Sequence, residues 1–261
     1  MRELLQLTDH QPQFFLRMRL VGLPLVLLFQ LGAPPLVTGS TSGIGLGIAV
    51  VLARQGANIV LNGFGDTEPA RSQVAEAGRV HGIRLGFHGA DMSKPAEIEA
   101  LMAHAEAEFG GVDILVNNAG IQHVAPVEDF PVARWDAVIA INLSSAFHTT
   151  RLAMPGMRQK NWGRIINIAS AHGLVASPQK SAYVAAKHGL VGFTKSIALE
   201  TATTGITVNA ICPGWVLTPL VQKQIDDRSR REGITVAEAE RDLLGEKQPS
   251  LQFTTPEQLG E

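Results

Sequence analysis

The chain has little with which to build a covalent or metal-bound framework. It holds one cysteine, Cys212, which rules out an intrachain disulfide and suits a reducing compartment such as the cytoplasm. Its 8 histidines are scattered singly, without the spacing that gathers ligands around a metal. Charge of one sign is also missing. The 22 Lys and Arg against 24 Asp and Glu leave a formal charge of −2, and no basic run forms a stripe, so neither nucleic acid nor an acidic membrane surface is an expected partner. Aromatic residues are few, and no apolar run is long enough to span a bilayer. What remains is an ordinary apolar fraction of 45% in 261 residues, enough for one large domain with a sizeable core.

The first 35 residues do not match the rest of the chain. Arg17 and Arg19 precede an apolar stretch at 20–31, in the manner of a signal peptide. The first strand of the domain comes so soon after it that little room is left for a cleavage site. The segment therefore reads as structural, or as not native to the fold, for example through a misassigned start. The expected division is an atypical segment 1–35 and a domain 36–261. Pro34 and Pro35 stand where the first strand should begin. Proline donates nothing to a central ladder, which shortens that strand to 36–38.

From Leu36 onward, strand and helix alternate. The pattern predicts helices at 43–55, 68–77, 95–109, 131–154 and from Tyr183's helix to about 203. It predicts strands at 58–61, 85–88, 114–116, 164–169 and 206–211. The strands are apolar on both faces, the mark of a parallel sheet covered by helices on each side. Residues 217–248 are more charged and read as one or two helices outside the sheet, a flap over a site.

Several places along this scaffold carry chemistry. Thr38-Gly39-Ser40-Thr41-Ser42-Gly43-Ile44-Gly45 follows a strand and opens a helix. Glycines there let the backbone approach a pyrophosphate, and the helix N-terminus offers N–H donors. The second strand ends Asn62-Gly63-Phe64-Gly65-Asp66. No Lys or Arg lies between Gly56 and Ala70 to meet an NADP phosphate, so NAD is the expected cofactor. Asp66 is either the ribose-binding acid or a cap for the next helix. Asp91 and Asn117-Asn118-Ala119-Gly120 follow the third and fourth strands, where open α/β sheets bind ligands. Asp91 either accepts from an adenine amine or caps the helix at Pro95; the Asn pair either shapes a cofactor surface or makes a plain turn. Ser170 follows the fifth strand and is placed to hold a substrate oxygen. Asn142 lies inside a helix, where asparagine is mildly unfavourable; it either bends the helix or binds water, and is placed to support a proton chain to Lys187. Tyr183 and Lys187, at i and i+4, share one helix face. A neighbouring ammonium favours the phenolate, which should lower the tyrosine pKa and fit the pair for proton exchange with an alcohol or carbonyl.

In this order, TGSTSGIG at 38–45, NNAG at 117–120, Asn142, Ser170, Tyr183-x-x-x-Lys187 and Pro213-Gly214 resemble the short-chain dehydrogenase/reductase family across 36–261. The resemblance implies a Rossmann-like, doubly wound parallel sheet and catalytic roles for Asn142, Ser170, Tyr183 and Lys187. It implies cofactor contacts at Gly39, Thr41, Ser42, Gly43, Ile44, Gly45, Phe64, Asp91, Asn118, Ala119 and Gly120. Further contacts are implied at Tyr183, Lys187, Pro213, Gly214, Val216 and Thr218. Within the family, IVLNGFGD, NNAGIQHV, ASAHGLVASPQKSAYVAAKHGL and ICPGWVLTPLVQKQI are similar to the branch that interconverts (R)-3-hydroxybutyrate and acetoacetate with NAD. That likeness implies an acid site formed by Gln122, His172, Lys180 and Gln224 with Ser170 and Tyr183, closed by Trp215, in a cytoplasmic protein that is a homotetramer where its C-terminus is complete. The family's pattern continues beyond the helix opened by Pro256 with a seventh strand and a tail. The expectation is thus a sheet lacking its last strand, with folding, assembly or activity impaired. Two other functions stay open at this point: the same fold acting on a 3-oxoacyl thioester or a sugar, and a non-catalytic protein that binds NAD or serves assembly only.

Overall fold

The computed structural model describes residues 34–246 and 248–261. Most of the atypical segment 1–35 lies outside the described residues. Six strands run β1 (Pro35–Val37), β2 (Ile59–Asn62), β3 (Leu85–His88), β4 (Ile114–Asn117), β5 (Gly163–Ile168) and β6 (Ile206–Ile211). They form one parallel sheet in the order β3-β2-β1-β4-β5-β6. The order reverses between β1 and β4, the switch point where such sheets bind ligands.

The two-residue period of the strands explains both faces. Leu36, Val60 and Leu115 point to one side, against Ile98 and Leu101 of α3 (Pro95–Phe109) and Met157 of α5 (Ser145–Lys160). Their neighbours Val37, Leu61 and Val116 point to the other, against Ile48 and Val50 of α1 (Gly43–Arg54) and Val74 of α2 (Glu68–Ala77). Each fully buried side chain of this size contributes about 1.5–3 kcal/mol.

Two expectations are corrected. The first strand begins at Pro35, paired with Ile114, rather than at Leu36. At a strand's first position proline has no ladder bond to lose, and Thr38 N still donates to Val116 O at 3.0 Å. The expected helix 131–154 is three pieces: α4 (Val132–Ile139), a π turn (Ala140–Ser144) that contains Asn142, and α5, which runs through Pro155 to Lys160. Pro155 removes one ladder bond. Buried Ala153 and Met157 on either side of it anchor the helix and carry it onward.

Tyr183 and Lys187 stand on α6 (Ser181–Glu200). The charged segment after β6 forms α7 (Pro219–Glu232), capped by Thr218, and α8 (Val236–Gly245), opened by a Thr235/Glu238 capping box. Val221 and Ile225 of α7 pack on Ala239 and Leu243 of α8, with Trp215 against them. A last short helix, α9 (Pro256–Gly260), lies on α1. Among the described residues no seventh strand succeeds β6, and no helix is long and apolar enough to cross a membrane.

Candidate active site

The site is assembled at the C-terminal ends of β1, β2, β4 and β5, and two asparagines shape its first loop. Asn62 closes β2. Its Oδ1 accepts from Gly39 N at 3.1 Å, and its Nδ2 donates to His88 O and Ala90 O, each at 3.0 Å. Asn118 follows β4 and donates from Nδ2 to Thr38 O at 2.9 Å and Gly39 O at 3.0 Å. Thr38 Oγ1 accepts in return from Asn118 N and Ala119 N, both at 3.0 Å. The loop between is thereby bolted to three strands. Gly39 has φ +61, and a Cβ there would stand 2.9 Å from Ala119 Cα, so no other residue fits without displacement.

This loop delivers the chain into α1 at Ser42, which makes no side-chain cap bond. The first-turn N–H groups and the positive end of the helix are left facing the loop, as an anionic pyrophosphate requires. Thr41, Ser42, Gly43 and Gly45 lie on this cradle; Gly43 faces the methyl of Thr218, and Gly45 backs onto Asn118. Gly120 lies beside Asn142. The donor geometry and the bare backbone fit a dinucleotide.

Around Tyr183 and Lys187 the direction of one expectation reverses. Lys187 is buried, and its Nζ donates to Ile168 O at 2.7 Å while standing 5.7 Å from the centroid of the Tyr183 ring. Burial lowers the lysine from 10.5 to about 8. The i, i+4 spacing predicts a tyrosine pulled down by this ammonium. Instead burial raises it, and only the hydrogen bond with the Ser170 side chain works the other way. The ammonium is turned toward the strand carbonyl of Ile168. Ser170 Oγ also accepts from His172 N at 3.1 Å, and the His172 ring meets Tyr183 edge-on with centroids 6.1 Å apart.

Asn142 turns its side chain to the loop that follows Gly120. Its Oδ1 accepts from Ile121 N at 2.9 Å and its Nδ2 donates to Ile121 O at 3.0 Å, fixing the loop that carries Gln122. Beneath it runs a chain of buried side chains across four elements. Thr149 Oγ1 of α5 donates to Asn117 Oδ1 at 2.7 Å, and Asn117 Nδ2 donates to Asn167 Oδ1 at 2.9 Å. Asn167 Nδ2 donates to Thr194 Oγ1 of α6 at 2.9 Å. Sequence reasoning missed Asn62, Asn167 and both threonines; for the asparagines an isolated polar residue in an otherwise apolar strand was the available signal, and the threonines, on helices, left none.

All seven residues expected at the acid, Gln122, Ser170, His172, Lys180, Tyr183, Trp215 and Gln224, line one cavity of about 430 Å³. Ile44, Pro213, Gly214, Val216 and Thr218 from the cofactor set share its wall. Phe64 and Asp91 lie away from it. Phe64 is exposed, and Asp91 accepts from Ser93 N at 2.9 Å and Ser93 Oγ at 2.7 Å, with Lys94 at 3.5 Å. The helix cap expected of Asp91 is not made, since Lys94 occupies the N-cap position. Asp66 accepts from Glu68 N at 3.2 Å, the helix-opening role.

A six-stranded parallel sheet, a glycine loop entering a helix and a Ser-Tyr-Lys cluster at the strand ends define a dinucleotide-dependent dehydrogenase. The short chain dehydrogenase model matches residues 35–229, and the chain belongs to that family. It is 72% identical over 229 residues to a D-beta-hydroxybutyrate dehydrogenase of Cupriavidus necator, covering 88% of each chain. With one from Rhizobium meliloti it shares 59% over 223 residues, 85% of this chain and 86% of the relative. The crystal structure of Gluconobacter frateurii L-sorbose reductase, complexed with NADPH and L-sorbose, superposes with a TM-score of 0.82 at 31% identity, over 88% of this chain and 87% of that one.

Proposed function

We propose that the protein interconverts (R)-3-hydroxybutyrate and acetoacetate by hydride transfer with NAD. The observation that carries this reading is the single cavity that joins Ser170 and Tyr183 to four nitrogen-bearing side chains, Gln122, His172, Lys180 and Gln224. A short hydroxy acid needs donors at its carboxylate end and a proton acceptor at its hydroxyl, and this wall offers both. The high identity to relatives named for that substrate points the same way.

Ser170 holds the hydroxyl oxygen, and Tyr183 takes its proton during oxidation. Lys187 supplies the adjacent positive charge and a route for the proton, and Asn142 holds the Gln122 loop by its side chain. Trp215 closes over the alkyl end. The glycine loop and α1 would hold the pyrophosphate, with Gly39, Asn118, Ala119 and Gly120 shaping the backbone surface. Bound there, a nicotinamide would supply the hydride-accepting and hydride-donating chemistry. NAD is preferred because the segment after β2 carries no Lys or Arg, and Phe64 and Asp91 remain candidate walls of its adenosine half. On this reading the protein works in the cytoplasm, and exposed Phe147 on α5, in edge contact with Phe193 of α6, offers an apolar face for assembly with further copies.

The purified protein should oxidise NADH when acetoacetate is added, more efficiently than NADPH, and in reverse should consume the (R) and not the (S) acid. Reduction of other carbonyls with no response to acetoacetate would refute the substrate.

A further inference from the structure

We infer that Gln248 is a positioning residue that sets chain-length selectivity, by clasping the backbone of Trp215. The inference rests on the reading of Trp215 as the wall at the alkyl end of the acid. Gln248 sits just beyond α8, where its N donates to Leu244 O at 2.7 Å. Its amide is used at both ends. Oε1 accepts from Trp215 N at 2.8 Å, and Nε2 donates to Gln252 O. The other face of the Trp215 backbone is held by the same segment. Trp215 O accepts from Thr254 N at 3.0 Å, and Leu217 N donates to Thr254 O at 3.0 Å, giving a one-residue parallel bridge from Val216 to Thr254.

The neighbouring glycine is shaped to this contact. A Cβ on Gly214 would stand 2.7 Å from Gln248 Oε1, so the amide reaches Trp215 N only across a bare backbone. The Trp215 ring meanwhile lies between the cavity and the α7–α8 apolar cluster, with Lys180 Nζ 6.0 Å from its centroid. Its rotation is limited by packing on one side and its depth by where the backbone is pinned. An amide is required, because the site needs one acceptor and one donor on a single planar group. Leucine supplies neither, and glutamate supplies only the acceptor.

Gln248→Leu should loosen residues 213–218 without touching Ser170, Tyr183 or Lys187. We expect deuterium exchange in that peptide to accelerate about tenfold, in line with the loss of one hydrogen bond. The ratio of kcat/KM for 3-hydroxyhexanoate to that for 3-hydroxybutyrate should rise by about tenfold, through KM rather than kcat. Gln248→Glu, which keeps the acceptor, should fall between wild type and the leucine variant, and it serves as the test where Gln248→Leu folds poorly. Unchanged exchange in 213–218 overturns the clasp. Faster exchange with the selectivity ratio within about twofold of wild type overturns the specificity role. Failure of wild type to turn over 3-hydroxybutyrate would instead overturn the proposed substrate, which the exchange measurement does not depend on.

Discussion

Removing the ammonium of Lys187 should destroy activity while relieving the fold of a burial penalty, and that relief should fade at high pH. Lys187 is 4% exposed, and burial brings it from 10.5 to about 8. Below about pH 8 the side chain is charged in both folded and unfolded chains, and the folded state carries the full penalty of holding it. At about 1.4 kcal/mol per pKa unit, that penalty is about 3 kcal/mol near pH 7. Between the two pKa values the unfolded chain binds more protons than the folded one, so stability rises with pH and the penalty shrinks to about 1 kcal/mol by about pH 9.5. Lys187→Met is free of this penalty but loses the bond to Ile168 O, which is worth about 1.5–3 kcal/mol for a charged donor. The sum near neutrality is thus small and of either sign.

The pH dependence separates the two effects. The difference in unfolding free energy between Lys187→Met and wild type should favour the variant by about 2 kcal/mol more near pH 7 than near pH 9.5. For a domain of this size that is a change of about 4–8 °C in the Tm difference. Urea titrations of both proteins at matched concentration, across that range, read it directly. A difference that does not vary with pH, or that grows as pH rises, would refute the assignment of a depressed lysine.

Tyr183→Phe should abolish turnover while leaving NADH binding within about threefold, measured by fluorescence enhancement, because only the phenolic oxygen touches the reacting centre. Thr194→Val keeps the shape of the side chain but orphans the buried Asn167 amide; stability should fall by about 1–3 kcal/mol in urea, with Thr194→Ser restoring most of it. Asn62→Ala removes the acceptor for Gly39 N and the donor to two carbonyls, and should weaken NADH binding at least about tenfold in a fluorescence titration, while acid selectivity stays as in wild type.

The sheet was legible because its strands are buried on both faces, so Leu36-Val37, Val60-Leu61 and Leu115-Val116 each supply one residue to either core. The cavity was legible residue by residue only through resemblance. Gln122, Lys180 and Gln224 are ordinary surface residues in the sequence, and the fold brings them together from three separate segments. The π turn at Ala140–Ser144 left no local mark beyond an asparagine in a helix, since its cause is tertiary: Asn142 satisfies both backbone groups of Ile121. Asn62 was passed over for a related reason. A polar residue at the end of an apolar strand looks like the start of a turn, and its three partners lie 23 to 28 positions away.

Tyr183 and Lys187 show the limit of spacing more sharply. Four residues apart on a helix guarantees proximity, and proximity suggests a phenolate stabilised by an ammonium. Burial depends on what packs over the helix, which spacing does not contain, and burial acts on both groups against their charged forms. The tyrosine is raised and the lysine is lowered by this one cause, so the two approach neutrality together. The hydrogen bond with the Ser170 side chain works against this at the tyrosine.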